Sequence, residues 1–113
     1  MSYESRKGYS AEHDLLTFLA PIFGEHLYRP RAGAPQDRGD IIGLPFVLSV
    51  KNHSRLDLSD WIKGLDSMVA AAGVEAGVVV HKRVRTGSPS GWYVTTSVRL
   101  ALPFFRSYVE RVK

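Results

Sequence analysis

The chain has 113 residues, of which 44% are hydrophobic and 23% charged, the composition of a single globular domain. Lys and Arg number 15 against 11 Asp and Glu, and the resulting net charge of +4 makes a polyanionic partner plausible. The lack of cysteine excludes disulfides, thiolate metal sites and a cysteine nucleophile. Without a long apolar stretch or a signal region, the sequence predicts a soluble intracellular protein with no membrane contact.

The N-terminal part of the chain predicts a helix preceded by a loose segment. Residues 1–9 are polar and are expected to form a flexible basic arm, and Ser10 is a suitable helix cap. Glu12 falls in the first turn of the helix, on its apolar face, and Pro21 ends or bends the helix. Glu12 taken alone is well explained by the helix dipole. The helix is predicted by apolar residues at helical spacing, namely Leu15, Leu16, Leu19, Ile22 and Phe23.

Three short strands are predicted next. They cover Glu25 to Arg31, Arg38 to Leu44 and Phe46 to Lys51, and a flexible Gly-Pro loop separates the first two. The bend at Gly43-Leu44-Pro45 makes the second and third strands antiparallel neighbours.

The second half of the sequence predicts a helix, two strands and a last helix. An apolar stripe runs from Leu58 to Ala72 and Gly73 ends the helix, and Gly77 to Val80 has the near-continuous apolar character of a strand buried on both faces. A basic, turn-rich loop covers His81 to Gly91, and Trp92 to Thr95 forms a fifth strand. Ser97 caps the last helix.

This order of elements, αβββαββα, predicts an α/β fold. A helix between the third and fourth strands implies a crossover, so these two strands should be parallel. The expected architecture is a central mixed sheet of five strands flanked by helices. The whole chain, residues 1–113, forms one domain.

Charged residues stand at both ends of the second and third strands. Asp40 and Lys51 flank the predicted bend, and Glu12 from the first helix can approach the same edge of the sheet. Each has a plain explanation, since Asp40 suits a turn and Lys51 can extend from a strand end into water. Together, two carboxylates and a lysine suit divalent-metal chemistry. A hard cation prefers oxygen ligands and activates phosphodiesters.

Four segments of the sequence form an ordered set of motifs, namely Lys7–Glu12, Arg29–Ala34, Gly39–Ile41 and Ser49–Asn52. In this order they resemble the PD-(D/E)xK nuclease superfamily. The sequence is similar, more narrowly, to archaeal-type Holliday junction resolvases and to the small resolvase-like endonucleases of phages, which it resembles most through Val50–Trp61 and His81-Lys82-Arg83. The similarity extends over about residues 6–96.

The resemblance implies a restriction-endonuclease-like fold and a site that uses Mg²⁺ or Mn²⁺. Asp40 and Glu12 match metal-binding acids, and Val50 would give its backbone carbonyl to the metal. Lys51 matches the catalytic lysine. The implied partner is branched or four-way-junction DNA, bound by a homodimer because the junction has two-fold symmetry. The implied compartment is the cytoplasm, or the host cytoplasm if a phage encodes the chain.

Several basic or polar residues are candidates for DNA contact. The resemblance places Arg29 and Arg31 near the scissile phosphate. The basic loop suits phosphate binding, although a solvated charge run is the alternative. We expect recognition by shape and phosphate, with little reading of sequence. The full set of candidates is Arg29, Arg31, Arg38, Asn52, Lys82, Arg83 and Arg85.

Ser49 departs from the family pattern, which has an acid two residues before the lysine. A hydroxyl is a weaker ligand for a hard cation than a carboxylate. A water-mediated site could work with Asp40, Glu12 and a carbonyl alone, the acid could have been replaced deliberately to trap an inactive enzyme, or the chain could be a natural variant that binds DNA structure and cleaves poorly. Ser49 is kept with Lys51, Asp40 and Glu12 in the set of candidate catalytic residues. An unrelated α/β interaction module with an accidental match is a further alternative.

Overall fold

The computed structural model describes residues 3–31, 33, 35–83 and 87–113, with side chains from residue 8 onward. Three helices are described, α1 (Tyr3–Phe23), α2 (Leu58–Ala72) and α3 (Val98–Val112). Three strands are described, β1 (Val47–Lys51), β2 (Gly77–His81) and β3 (Tyr93–Thr95), and a 3₁₀ turn (Pro89–Gly91) precedes β3. Among the described residues, no helix combines the length and apolar character needed to cross a bilayer.

The sheet has the order β1-β2-β3. The β1 and β2 strands are parallel, with Ser49 opposite Val79 and Lys51 opposite His81. The connection between them is α2, as the predicted crossover requires. The β2 and β3 strands are antiparallel, so the sheet is mixed.

The prediction of a five-stranded central sheet was wrong, because the described residues form three strands. The predicted strands 25–31 and 38–44 are each reduced to isolated antiparallel bridges, one between Tyr28 and Ile42 and one between Ile41 and Leu48. Pro30 has no N–H to donate to a ladder, and Gly39 and Gly43 have φ of +114° and +120°, outside the β region. The α/β class itself was correct.

The first helix begins earlier than predicted. It starts at Tyr3, so residues 3–9 belong to α1 and do not form a loose arm. Pro21 lies inside the last turn, and the helix ends at Phe23 before Gly24, which has a φ of +130°.

The two faces of the sheet are covered by different helices. Alternation along β1 sends Leu48 and Val50 into a core that includes Ala11 and Leu15 of α1. The opposite face carries Val47 and packs with α2 and the first turns of α3. Ser49 and Lys51 therefore belong by alternation to the face that α2 covers, whereas Glu12 lies on the helix over the other face. An edge of β1 is the place where these side chains can meet.

Candidate active site

A cleft of about 560 Å³ lies beside the free edge of β1. It is formed by the first helix and the two segments that were predicted as strands. Four of the predicted site residues line it together, two acids and two arginines. The complete lining is Tyr9, Glu12, Arg29, Pro30, Arg31, Gly33, Gln36, Asp37, Gly39 and Asp40.

Asp40 is fixed against the edge of β1 by two hydrogen bonds. Its backbone N–H donates to the Leu48 carbonyl at 2.8 Å, and its Oδ2 accepts from the Val50 N–H at 2.7 Å. Gly39 permits this close approach, since a Cβ there would lie 3.1 Å from the Leu48 carbonyl oxygen and its φ is +114°. The carboxylate is thus held by a backbone N–H, and the Asp40 backbone is fixed separately.

Glu12 is held by an arginine. Arg29 donates from Nε at 3.2 Å and from Nη2 at 2.9 Å to the same oxygen, Oε1, of Glu12. The Arg29 guanidinium also lies 3.8 Å from the centroid of the Tyr9 ring. The predicted contact of Arg29 with phosphate would therefore compete with an ion pair that exists in the protein alone.

The two carboxyl groups resist ionisation. Burial raises the pKa of Glu12 above its ordinary 4.5, the charge of Asp40 adds to this rise, and the bonds from Arg29 oppose it. Burial also raises the pKa of Asp40 above its ordinary 3.8, and the hydrogen bond from the Val50 N–H opposes this rise. Asp37 raises both pKa values and Lys51 lowers that of Asp40.

Lys51 and Val50 occupy the end of β1 next to Asp40. Lys51 is half-buried and favours the charged form of Asp40 without forming a direct ion pair among the described contacts. Its backbone carbonyl accepts from the Lys82 N–H at 3.0 Å and so faces β2. The Val50 N–H faces Asp40, and alternation places the Val50 carbonyl on that same edge of the strand.

Ser49 is the most deeply buried polar residue near the cleft, with 1% of its surface exposed. Its hydroxyl has no hydrogen-bond partner of ordinary geometry among the described residues, although it lies close enough to Asp40 to lower the pKa of that carboxyl. A buried unpaired hydroxyl costs about 1–3 kcal/mol. Ser49 is thus a polar residue that the protein closes off from solvent.

The oxygen ligands beside the cleft can supply only part of the coordination shell of a hard cation. Among the described residues, no three His, Cys, Asp or Glu side chains form a group that could hold a metal ion alone. Mg²⁺ commonly takes one or two carboxylates and completes its shell with water and substrate phosphate. Glu12 and Asp40, with the Val50 carbonyl, fit that mode, and the raised pKa values of both carboxyls mark a place where a cation would relieve unfavourable negative charge.

The remaining DNA-contact candidates lie at different places. Arg31 lines the cleft and Asn52 follows β1, whereas exposed Arg38 donates to Gln36 at 3.0 Å. Lys82 and Arg83 lie 5.8 Å from the ring centroids of Trp92 and Tyr93, respectively, at the carboxyl end of β2. Arg85 lies outside the described residues.

Two residues of the cleft were not predicted from the sequence, the aromatic Tyr9 and the acidic Asp37. Asp37 accepts from the Gly39 N–H at 3.1 Å, so it shapes the loop that presents Asp40. Tyr9 lies one helical turn before Glu12, and that spacing could have indicated a shared face.

Aromatic rings form a continuous row on the α2 side of the sheet. Trp61 lies 5.8 Å from His53 and 5.4 Å from His81, and His81 lies 5.5 Å from Tyr93, centroid to centroid. Burial lowers the pKa of His81, and its Nε2 lies 2.7 Å from the Thr95 hydroxyl. These contacts make His81 a core residue, which ends β2 opposite Lys51.

No family model, curated protein or solved structure matches this chain significantly.

Proposed function

We propose that this chain is a metal-dependent endonuclease that cleaves phosphodiesters in branched DNA, in the manner of a Holliday junction resolvase. The observation that carries the proposal is the meeting of Glu12 and Asp40 in one cleft, with Lys51 at the end of the adjoining strand. Glu12 and Asp40 are 28 residues apart and belong to separate elements, and both acids are held where their ionisation is unfavourable.

The division of roles follows from the contacts. When bound, Mg²⁺ or Mn²⁺ acts as a Lewis acid towards a phosphate oxygen. Asp40 keeps one orientation because the Val50 N–H holds Oδ2. Lys51 supplies positive charge beside Asp40 and can orient an attacking water or neutralise charge that develops on the phosphate. Arg31, which lines the cleft, would bind a flanking phosphate.

Arg29 is expected to change partner when DNA binds. In the free protein it neutralises Glu12, with which it forms a part-buried ion pair of 2.9 Å. A cation beside Glu12 would replace that neutralisation and release the guanidinium towards a phosphate. The proposal therefore couples metal binding at Glu12 to DNA contact by Arg29.

The test is cleavage of a labelled four-way junction in Mn²⁺ by the wild-type chain, Asp40→Asn and Glu12→Gln. We expect the wild type to nick the junction and Asp40→Asn to lose at least about a hundredfold in rate, the scale of losing an electrostatic catalytic group. Glu75→Gln, an exposed acid outside the cleft, is the matched control and should retain the wild-type rate. Equal rates for wild type and Asp40→Asn would contradict the proposal.

Ser49 favours a second candidate function, a protein that binds branched DNA without cutting it. At this position the site lacks a carboxylate, and the side chain is buried. If the chain has this second function, we expect salt-sensitive junction binding that Lys51→Ala leaves unchanged, and no metal-dependent turnover. Ser49→Glu separates the two candidates: a gain of cleavage from an inactive parent supports the binding protein, whereas turnover by the parent excludes it.

A further inference from the structure

The outer face of α3 carries a regular apolar stripe that the domain leaves uncovered. Its central residues, Phe105 and Val109, are 55% and 49% exposed, and the stripe comprises Val98, Leu102, Phe105, Val109 and Val112. We infer that this face is the surface on which a second copy of the chain docks, helix against helix. The inference is independent of the chemistry in the cleft.

The period of the stripe identifies the kind of partner. Successive members are separated by four, three, four and three residues, an average of 3.5, which is the repeat of a seam between two packed helices. The stripe is narrow, because a basic residue directly follows every second member, as Arg99, Arg106 and Lys113. A narrow seam of this period fits a second helix better than it fits a broad flat surface.

Most of α3 has no support from its own domain. Leu100 and Ala101 are its buried residues, and Phe104 packs edge-on against Phe46 with the ring centroids 5.0 Å apart. From Phe105 to Val112 each residue is exposed. The first turns thus anchor the helix, and the later turns project a preformed apolar surface.

The exposed area is sufficient for a dimer. The five stripe residues and neighbouring Tyr108, which is also exposed, present on the order of 600 Å² per chain. A patch of this size is at the upper limit for a monomer. Two copies facing each other would bury at most roughly 1,200 Å², at the lower end of the range for specific interfaces.

The alternative apolar helix is already used inside the domain. The stripe of α2 is packed against the sheet through Trp61, Leu65 and Val69. Of α2 and α3, it is thus α3 that presents the longer uncovered apolar face for a copy. Arg99 reaches Asp66 of α2, and this ion pair helps to fix the direction in which α3 leaves the domain.

Sedimentation equilibrium of the intact chain tests the inference. We expect the wild type to have twice the chain mass of 12.6 kDa at micromolar concentration, and Phe105→Glu and Val109→Glu each to raise the dissociation constant at least a hundredfold. Ile22→Glu, an equally exposed apolar residue on α1, is the matched control and should remain dimeric. Far-UV circular dichroism should show that both seam variants keep their helix content.

Three results would overturn the inference. They are a monomeric wild type at 100-fold higher concentration, a dimer that survives both seam substitutions, and a dimer that Ile22→Glu dissociates instead. A wild-type monomer that binds vesicles of anionic lipid through Phe105 would assign the stripe to a membrane surface and would equally exclude a second copy. Each measurement reads mass or binding, so its failure is distinct from a failure to cleave DNA.

Discussion

Asp40 is subject to opposing influences on its ionisation. Its carboxylate accepts the Val50 N–H, which favours the charged form, but burial and the charge of Asp37 favour the neutral form more strongly. Glu12 has the same conflict and is partly relieved by Arg29. Clusters of groups with raised pKa values are typical of functional sites, where the unfavourable charge is available to a ligand.

The stability of the protein should therefore depend on the ionisation of Asp40. Because its folded-state pKa is raised, the contribution of the neutral carboxyl is fully present below about pH 3.8 and is lost as the pH rises through the folded pKa. Asp40→Asn keeps an oxygen for the Val50 N–H but cannot ionise. We expect this variant to gain melting temperature relative to the wild type as the pH rises from 3.5 to 7.

Thermal melts of both proteins across that pH range provide the measurement. Asp66→Asn, which removes an exposed acid paired with Arg99, is the control and should show no such gain with rising pH. A difference between Asp40→Asn and wild type that stays constant or shrinks with pH would contradict the raised pKa of Asp40.

At the scale of elements, the close contact between α2 and β2 depends on the absence of a side chain at Gly77. A Cβ on Gly77 would lie 2.7 Å from Val69 Cγ2 and 3.1 Å from Leu65 Cδ1, so α2 packs directly on the strand backbone. Gly64, inside α2, has open space where its Cβ would be. The same substitution should thus have opposite effects at these two positions.

We expect Gly77→Ala to lower the free energy of unfolding by about 1–3 kcal/mol, the usual cost of overpacking a close contact. Gly64→Ala should raise it by about 0.5–1 kcal/mol, because alanine loses less backbone entropy in a helix. Urea unfolding of the two variants measures both values. A stabilised Gly77→Ala would mean that α2 does not lie this close to β2.

The elements that the sequence predicted well are those whose signal is local. The stripe of α2, the apolar run of β2 and the cap at Ser97 each fix an element through neighbouring residues, and these elements were confirmed. Segments 25–31 and 38–44 have strand-like side chains, but a strand requires a partner along its whole length. Positive φ at Gly39 and Gly43 breaks that pairing, and composition alone does not reveal it.

The candidate site was predictable to the extent that chain order brings elements together. A bend between two neighbouring segments places Asp40 beside β1, as the sequence indicated. Burial of Ser49 and the pairing of Arg29 with Glu12 depend on helix packing and side-chain reach, which no local pattern contains. The roles assigned to these residues stay predictions.

Over the whole molecule, the net charge of +4 is distributed so that several cations lie near the carboxyl ends of β1 and β2. Lys51 ends β1, and Lys82 and Arg83 follow β2. The rings of Trp92 and Tyr93 lie beside Lys82 and Arg83, which limits the freedom of these two cations. A DNA backbone bound at this end of the sheet would meet several positive charges at once.

Phosphate contact by Lys82 should be visible in the salt dependence of DNA binding. Each neutralised phosphate contributes about −0.9 to the slope of log K against log salt for duplex DNA. We expect Lys82→Ala to make the slope less steep by about 1 and to weaken binding equally for unrelated sequences. Lys63→Ala removes the same charge from the exposed side of α2 and should leave the slope unchanged. The slope depends on the number of phosphates that the protein neutralises and is independent of the base sequence. Equal slopes for wild type and Lys82→Ala would therefore show that Lys82 contacts no phosphate and that the DNA binds on another face.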